Sequence, residues 1–338
     1  MKHALITGAN GQDGVLLGKY LLELGYAVTG MVRGMDRAVA EGVRQCLLPE
    51  ATGWEADLRK LQPDEIYHLG GDSFAGGPRD GSVSLLESNV MLSAHLLEAA
   101  QRTLPNARIF LAGSAVAFGD ALVSPQDEMT PRAAISLYGA SKALLHPLAE
   151  EYRKGGLFVR IGILFNHESV LRPERFVTRK ITAAAARIAA GQQRELLLGN
   201  LDVTRDWGHA ADYVRAMYLM LQSDVREDRV IATGEGRTVR EFCEVAFAAV
   251  GLDYQDYVKM VPEFWRPAEA MPMVGNCKQL LEETGWRRER SFETMVTEMT
   301  EMDVKRAAGQ GPAWQWEGGR WILDKGLVRL ARGPAMQT

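Results

Sequence analysis

The stretch YGASK contains a tyrosine and a lysine that could perform acid–base chemistry together. Tyr138 and Lys142 stand at positions i and i+4, so the helix expected to start just after Pro131 would carry both on one face. The charge of Lys142 would then lower the pKa of the Tyr138 phenol, and its ammonium could hold a ribose hydroxyl. Such a phenol can take or give a proton near neutral pH. Ser114, at the expected end of the preceding strand, would supply a hydroxyl for the same substrate oxygen.

A glycine-rich turn near the N-terminus predicts a binding site for a dinucleotide. An apolar run at residues 3–7 is followed by glycines at G-x-x-G-x-x-G spacing and then by apolar residues at helical periodicity. Glycines let the backbone approach a pyrophosphate, which lies at the positive end of the helix. The candidate cofactor contacts on this turn are Gly8, Asn10, Gly11, Gln12, Asp13 and Gly14.

The end of the second strand favours NADP over NAD as that cofactor. Val32 stands where an acidic residue would bind the ribose 2′-hydroxyl of NAD, and Arg33 follows it. An arginine without a neighbouring acid suits the 2′-phosphate of NADP. Arg37 is a second, weaker candidate for the same contact.

The elements that must position these residues alternate between strands and helices. The further strand-like runs are 65–71, 107–114 and 157–165. This alternation predicts an α/β fold, a Rossmann-type doubly wound parallel sheet with a smaller, mixed C-terminal substrate domain. The strand ends at Gly70, Ser114 and Phe165 should open onto one crevice.

Composition and length limit what else the protein could be. A chain of 338 residues with 46% hydrophobic and 24% charged residues is ordinary for a globular protein. The net charge of −4 gives no reason to expect nucleic-acid binding, and no apolar run is long enough to span a membrane. The chain enters a strand at once, and its three cysteines and six histidines lack the spacing of a metal site. We expect a cytoplasmic protein with reduced thiols and no metal.

Three regions are expected along the chain. Residues 1–165 should form the NADP-binding domain and 166–305 the substrate-binding part, with some segments returning to the main sheet. Residues 306–338 would form a C-terminal extension that contains several tryptophans. The extension either docks on its own subunit or a partner, or covers the substrate site.

Several longer motifs, spread over roughly residues 3–303, resemble those of one enzyme family. They are ALITGANGQDG, QPDEIYHL, YGASK, GILFNHES, RFVTRKIT, LGNLDVTRDWGHAADYVRAMYLML, VIATGEGRTVREF and FWRP. The chain resembles the extended short-chain dehydrogenase/reductases and, within them, the GDP-mannose 4,6-dehydratase family. The resemblance implies a GDP-sugar substrate, with the GDP moiety on Asn166, Val177, Lys180, Arg205, Arg266 and Glu269. It also implies cofactor contacts at Leu69, Gly70, Ser73, His167 and Arg172.

Arginines and lysines in the same segments supply positive charge suited to a diphosphate, whether or not the family is considered. They are Arg172, Arg175, Arg179, Lys180, Arg205 and Arg266.

The segment LAGSAVAFGD departs from this family at one functional position. Where the family has a hydroxyl residue, a small polar residue and a glutamate before an aromatic–glycine pair, this chain has Ser114, Ala115 and Val116. In the family the glutamate removes the C5 proton and helps the C6 hydroxyl to leave, and valine can do neither. Loss of a positioned acid–base group typically costs about 10²–10⁴-fold in rate. We therefore expect oxidation at C4 without efficient elimination.

Four functions remain open on these observations. If hydride returns after the keto sugar has turned over, C4 is inverted, and SAVAFGD also resembles the matching segment of nucleotide-sugar 4-epimerases. A GDP-sugar 4-epimerase is therefore favoured. The alternatives are a GDP-4-keto-sugar reductase, a dehydratase whose acid has moved to Asp72, and a non-enzymatic NADP-binding sensor. Intact Ser114, Tyr138 and Lys142 argue against the sensor.

The expected assembly is a homodimer. RGMDRAVAEG is a poor match to the arginine-rich loop that helps the family to form tetramers, although a tetramer stays open. The helices near 87–102 and 138–153 are apolar enough to pair across a two-fold axis, and burial inside the subunit would explain their composition equally well.

Overall fold

The structure is a computed structural model, and it describes residues 1–35, 38–72, 82–264 and 271–310 together with the backbone of 314–317 and 320–323. The strands, numbered in chain order, are β1 (His3–Thr7), β2 (Ala27–Val32), β3 (Arg44–Leu47), β4 (Glu65–His68), β5 (Arg108–Ala112), β6 (Phe158–Leu164), β7 (Asn166–Glu168), β8 (Leu196–Leu198), β9 (Thr204–His209), β10 (Arg229–Ile231), β11 (Gly236–Thr238), β12 (Val258–Met260), β13 (Trp314–Glu317) and β14 (Arg320–Leu323). The helices are α1 (Gln12–Glu23), α2 (Trp54–Leu61), α3 (Ser82–Leu86), α4 (Leu92–Thr103), α5 (Leu137–Ala143), α6 (Leu145–Lys154), α7 (Val177–Ala189), α8 (Ala210–Gln222), α9 (Val239–Ala248), α10 (Lys278–Thr284) and α11 (Phe292–Ala307). A π-helical turn (Glu87–Met91) joins α3 to α4, and a 3₁₀ turn (Ala115–Phe118) follows β5.

A parallel sheet of seven strands, in the order β10-β6-β5-β4-β1-β2-β3, forms the centre of the molecule. Leu96 of α4 and Leu145 of α6 are fully buried against one face, and Leu17 of α1 and Met217 of α8 are buried against the other. Each such side chain contributes about 1.5–3 kcal/mol by leaving water. The predicted α/β fold, doubly wound around a parallel sheet, is confirmed.

A smaller group of elements packs around a third apolar cluster. Ile181, Phe242 and Met299 bring α7, α9 and α11 together in this cluster. The accompanying sheet is mixed, because β9 pairs parallel with β7 and antiparallel with β11. One strand of the C-terminal half, β10, pairs with β6 in the main sheet.

The helix that carries the tyrosine and lysine starts later than the sequence suggested. It begins at Leu137 and not just after Pro131, because Ala133 pairs with the backbone of Phe118 and Asp120 instead of entering a helix. Gly119 permits this pairing, since its φ is +58° and a Cβ would lie 1.8 Å from the Ala133 oxygen.

Within the ranges described above, no helix is both long and apolar enough to cross a membrane. The thiols of Cys46, Cys243 and Cys277 are free.

Candidate active site

Ser114, Tyr138 and Lys142 meet at the carboxyl end of β5. Ser114 caps the 3₁₀ turn, where its hydroxyl accepts a hydrogen bond from the Val116 N–H at 3.3 Å, and it lies close enough to Tyr138 to act on the pKa of the phenol. Lys142 is 8% exposed, and its Nζ donates to the Ala112 carbonyl at 2.8 Å. The structure thus brings together the three residues that the sequence proposed as catalytic.

Burial dominates the electrostatics of this trio. It raises the pKa of Tyr138, while the Ser114 hydroxyl and the charge of Arg172 act to lower it. The expected lowering of the phenol pKa is therefore not found, because burial outweighs the groups that act to lower it. Burial also lowers the pKa of Lys142 itself, from 10.5 to about 8, and the carboxylate of Asp72 acts in the opposite direction.

A buried chain of hydrogen bonds, which sequence reasoning missed, connects β1 to the catalytic region. The Gly70 N–H donates to Thr7 Oγ1 at 3.0 Å, and Thr7 Oγ1 contacts His68 Nδ1 at 2.9 Å. His68 Nε2 contacts Ser93 Oγ at 3.0 Å, and Ser93 donates to the Asn89 carbonyl. Burial and the charge of Lys142 lower the pKa of His68 to about 3, so its imidazole is neutral.

Asn89 then joins two parts of the crevice. Its Oδ1 accepts from the Asp72 N–H at 2.8 Å, and its Nδ2 donates to Ser141 Oγ at 3.1 Å. Ser141 in turn donates to the Tyr138 carbonyl at 2.7 Å. Gly71 passes so close that a Cβ would lie 2.5 Å from Asn89 Oδ1. A polar residue at helical spacing among apolar ones was the available signal for Asn89, but the sequence does not say what it contacts.

The glycine turn has the geometry of a diphosphate cradle. Gly8 has a φ of +70°, and a Cβ there would lie 2.9 Å from the Gly70 nitrogen. A Cβ on Gly14 would lie 2.3 Å from the Gly8 oxygen. Gly11 precedes the first residue of α1, so the turn leads directly into the helix N-terminus. The residues present therefore fit a dinucleotide, with Asn10 on the same turn and Leu69 and Gly70 beside it.

Gln12 and Asp13 connect this turn to the segment after β6. Gln12 Nε2 donates to the His167 carbonyl at 3.0 Å, and Ser169 Oγ donates to Gln12 Oε1 at 2.9 Å. Asp13 Oδ2 lies 2.9 Å from His167 Nε2. Arg172 pairs with Glu168 at 3.0 Å. The structure therefore places His167 beside the glycine turn and Arg172 close enough to act on the charge of Asp13.

The residues proposed for GDP lie on β7, α7 and β9. Asn166 is in β7, and Val177 begins α7 with 38% of its surface exposed. Lys180 Nζ donates to the Leu197 carbonyl at 2.8 Å, and Arg205 donates to the Thr204 carbonyl at 2.8 Å.

Arg179 does not belong to this basic set. It is 4% exposed and makes a two-pronged salt bridge with Asp303 at 2.6 and 3.0 Å, which holds α7 against α11. Four further candidates, Arg37, Ser73, Arg266 and Glu269, lie outside the described residues.

Val116 occupies the position of the missing acid without being part of the core. Its side chain is partly exposed, whereas Ala115, Ala117 and Phe118 on either side are 1% exposed. Phe118 packs against Phe165 with ring centres 6.1 Å apart. The residues on either side of Val116 are therefore packed into the core, and Val116 itself presents an apolar side chain where the family has an acid.

The fold and the site together define an extended short-chain dehydrogenase/reductase: a seven-stranded doubly wound sheet with a glycine turn after β1 and a serine, tyrosine and lysine beside β5. The sequence model that describes GDP-mannose 4,6 dehydratase matches residues 5–299. The chain belongs to the GDP-mannose 4,6 dehydratase family.

A relative in sequence agrees with this assignment. GDP-mannose 4,6 dehydratase 2 of Arabidopsis thaliana is 38% identical, over 90% of this chain and 88% of its own length. Two structures share the fold at lower identity. RMD from Pseudomonas aeruginosa, complexed with NADPH, gives a TM-score of 0.77 at 21% identity over 90% of this chain and 100% of its own. The UDP-glucose 4-epimerase of Thermus thermophilus, in complex with NAD, gives a TM-score of 0.78 at 22% identity over 89% of this chain and 98% of its own.

Proposed function

We propose that the protein is an NADP-dependent enzyme that oxidises and re-reduces C4 of a GDP-linked sugar, and that it acts as a GDP-sugar 4-epimerase. The observation that carries this proposal is an intact Ser114, Tyr138 and Lys142 beside a valine at position 116. Such a site retains the groups for oxidation at C4 and lacks the group that would eliminate water.

Each member of the trio has a distinct task in the proposed reaction. Tyr138 takes the proton from the 4-hydroxyl and returns it, while Ser114 hydrogen-bonds with the same oxygen. Lys142 would stabilise the phenolate of Tyr138 that accepts this proton, and it would hold the ribose of the cofactor. When bound, the nicotinamide supplies the hydride acceptor and donor. Burial raises the pKa of Tyr138, so the phenolate that accepts this proton depends on stabilisation by nearby positive charge, and the phenol formed returns the proton in the reduction step.

The environment of position 116 favours epimerisation over dehydration. Because Val116 is partly exposed at the crevice, it can contact a sugar but cannot remove the C5 proton. A 4-keto sugar that does not eliminate water can only be reduced again. Reduction on the opposite face gives the C4 epimer.

The placement of Asp72 supports dehydration as a second candidate function. Its carboxylate acts on the pKa of both Tyr138 and Lys142, so it lies within electrostatic reach of the trio. A dehydratase that had moved its acid would need such a group. A third candidate, a GDP-4-keto-sugar reductase, is supported by Arg33, since NADPH is the usual reductant for such a step.

Arg33 supports NADP as the cofactor. β2 ends at Val32, which is 2% exposed, and Arg33 follows with an exposed side chain at the edge where the adenosine ribose would lie. Asn10, Gln12 and the glycines of the turn would contact the diphosphate. Leu69, Gly70 and Arg172 would contact the rest of the cofactor.

Asn166, Val177, Lys180 and Arg205 support a GDP site, because they lie on neighbouring elements of the smaller part and remain at least partly exposed. Lys180 and Arg205 would balance the charge of the diphosphate. We propose the boundaries 1–165, 166–305 and 306–338 for the cofactor part, the substrate part and the extension.

A homodimer is proposed for the assembly. Val83 of α3, Met91 of the π turn and Leu144 beside α6 are 70%, 46% and 48% exposed. Met91 and Leu144 lie in the stretches 87–102 and 138–153, which are expected to pair across a two-fold axis, and Val83 is on the helix just before the first of them. Light scattering after size-exclusion chromatography would give twice the mass of the chain, and a monomer or tetramer would contradict the proposal.

Isotope exchange tests the C4 chemistry directly. A GDP-sugar with deuterium at C4 would be incubated with the protein and NADP, and the label in cofactor and product followed by NMR. We expect wild type to transfer deuterium between C4 of the sugar and the nicotinamide. We expect Tyr138→Phe to slow this transfer by at least about 10²-fold. A wild type that binds the GDP-sugar and never breaks the C4–H bond would refute the proposal and favour the sensor.

A further inference from the structure

Beneath the glycine turn, His167 makes two hydrogen bonds that a neutral imidazole cannot make together. Nδ1 lies 2.7 Å from the Phe165 carbonyl, and Nε2 lies 2.9 Å from the Asp13 carboxylate. Both partners only accept, so both ring nitrogens must donate, whereas a neutral imidazole carries a single N–H. His167 is therefore a cation paired with the Asp13 anion.

The groups around His167 come from four parts of the fold. Asp13 faces it from α1, Glu168 from β7 and Arg172 from the loop after β7, while Tyr213 of α8 stacks on the ring at 4.7 Å. Burial lowers the pKa of His167, but the charge and hydrogen bond of Asp13 outweigh it and raise the pKa above 6.5. Burial raises the pKa of Asp13, and His167 outweighs it to keep that pKa below 3.8.

The pair lies where an unbalanced negative charge would be most harmful. Asp13 is in the first turn of α1, at the helix end whose positive dipole would hold the diphosphate. An unpaired carboxylate there would repel the cofactor. The hydrogen bonds from Gln12 to the His167 carbonyl and from Ser169 to Gln12 attach residues 167–169 to the same turn.

We propose that His167 is a cationic positioning residue, whose imidazole neutralises Asp13 and holds the 165–169 segment against the cofactor turn without itself binding the cofactor. The two ring N–H groups already donate to the Phe165 carbonyl and the Asp13 carboxylate, and Tyr213 stacks on one face of the ring. This role rests on the proposed cofactor function and differs from the direct contact that family resemblance implied.

The charge of His167 is measurable without cofactor or substrate. Long-range ¹H–¹⁵N spectra of the histidine-labelled protein at pH 7 should show protons on both ring nitrogens of one residue, and His167→Gln should remove that signal. A His167 with one unprotonated nitrogen at pH 7 would overturn the proposal. This measurement does not depend on NADP binding. A chain that binds no NADP would refute the proposed function and leave the result on the charge of His167 unaffected.

Calorimetric NADP affinities separate positioning from direct contact. His167→Gln should weaken binding about tenfold or more, because it leaves the Asp13 charge unbalanced. Asp13→Asn should weaken binding less than His167→Gln does, since the introduced amide can donate to Nε2 of a neutral His167 and leaves no unbalanced charge. The double variant should recover most of the loss. If it binds no better than His167→Gln alone, the imidazole contacts the cofactor and the proposal is wrong.

The pH dependence supplies a second readout. A group whose pKa is raised on folding contributes its full stability below its ordinary pKa, here 6.5, and loses it as pH rises through the raised value. Stability and NADP affinity of wild type should both fall in that range, and Asp13→Asn should show no such fall. His146→Gln is the matched control, because the His146 side chain is also only 10% exposed and lies 2.7 Å from a carboxylate, Asp228, but belongs to α6 and not to the cofactor turn. An equal pH-dependent loss in Asp13→Asn would contradict the proposal.

Discussion

Replacing Lys142 with methionine should stabilise the fold while it removes activity. Lys142 is 8% exposed, and burial lowers its pKa from 10.5 to about 8. At about 1.4 kcal/mol for each pKa unit, holding the ammonium charged at pH 7 costs the folded state about 3 kcal/mol. Loss of its hydrogen bond with the Ala112 carbonyl offsets about 1 kcal/mol. Lys142→Met should therefore gain about 2 kcal/mol in the free energy of unfolding.

Urea unfolding between pH 7 and pH 10 measures this difference. Between pH 8 and 10.5 the unfolded chain binds more protons at Lys142 than the folded chain, so wild-type stability rises with pH and the gap to Lys142→Met should close. Lys180→Met is the control, because Lys180 also donates to a carbonyl but from an exposed position, and no gain is expected. The reasoning would be refuted if Lys142→Met were less stable than wild type at pH 7. It would also be refuted if the difference in free energy of unfolding between the two proteins did not change with pH.

Three further predictions concern cofactor, nucleotide and stability. Arg33→Ala should weaken NADP binding by calorimetry and leave NAD binding unchanged; equal affinities for both cofactors in wild type, unaltered by the substitution, would contradict the NADP proposal. GDP should raise the melting temperature more than UDP or dTDP at equal concentration, and equal protection by all three would count against a GDP-sugar. Asp303→Asn should lower the free energy of unfolding by about 3 kcal/mol, since it leaves Arg179 and Arg306 without their buried anion; a loss below about 1 kcal/mol by urea titration would show that Asp303 is not the main link between α7 and α11.

The sequence predicted the parallel sheet and the meeting of the catalytic trio because both follow from local patterns. Strand and helix periodicity identify the βαβ units, and the ends of parallel strands necessarily open on one side. The start of α5 could not be predicted in this way. It depends on the pairing of Gly119 with Ala133, which are close in space only after the 3₁₀ turn has formed.

Charge was the least predictable property of the site. The sequence assigned Arg179 to the diphosphate, but the Arg179 guanidinium is buried and pairs with Asp303, which is distant in the sequence. It also assigned Lys142 the task of lowering the Tyr138 pKa, and burial reverses the direction. Both outcomes depend on desolvation and on partners that only tertiary packing brings near.

The products formed from GDP-mannose test the central claim most directly. The protein would be incubated with NADP and GDP-mannose labelled with deuterium at C4, and the products followed by NMR. With Val116 in place of the acid, we predict that deuterium passes from C4 to the nicotinamide and back to C4, and that little or no 4-keto-6-deoxy sugar forms. We expect Val116→Glu to form a trace of that sugar. Rapid formation of the 4-keto-6-deoxy sugar by wild type would contradict the account, and its loss in Asp72→Asn would identify the relocated acid.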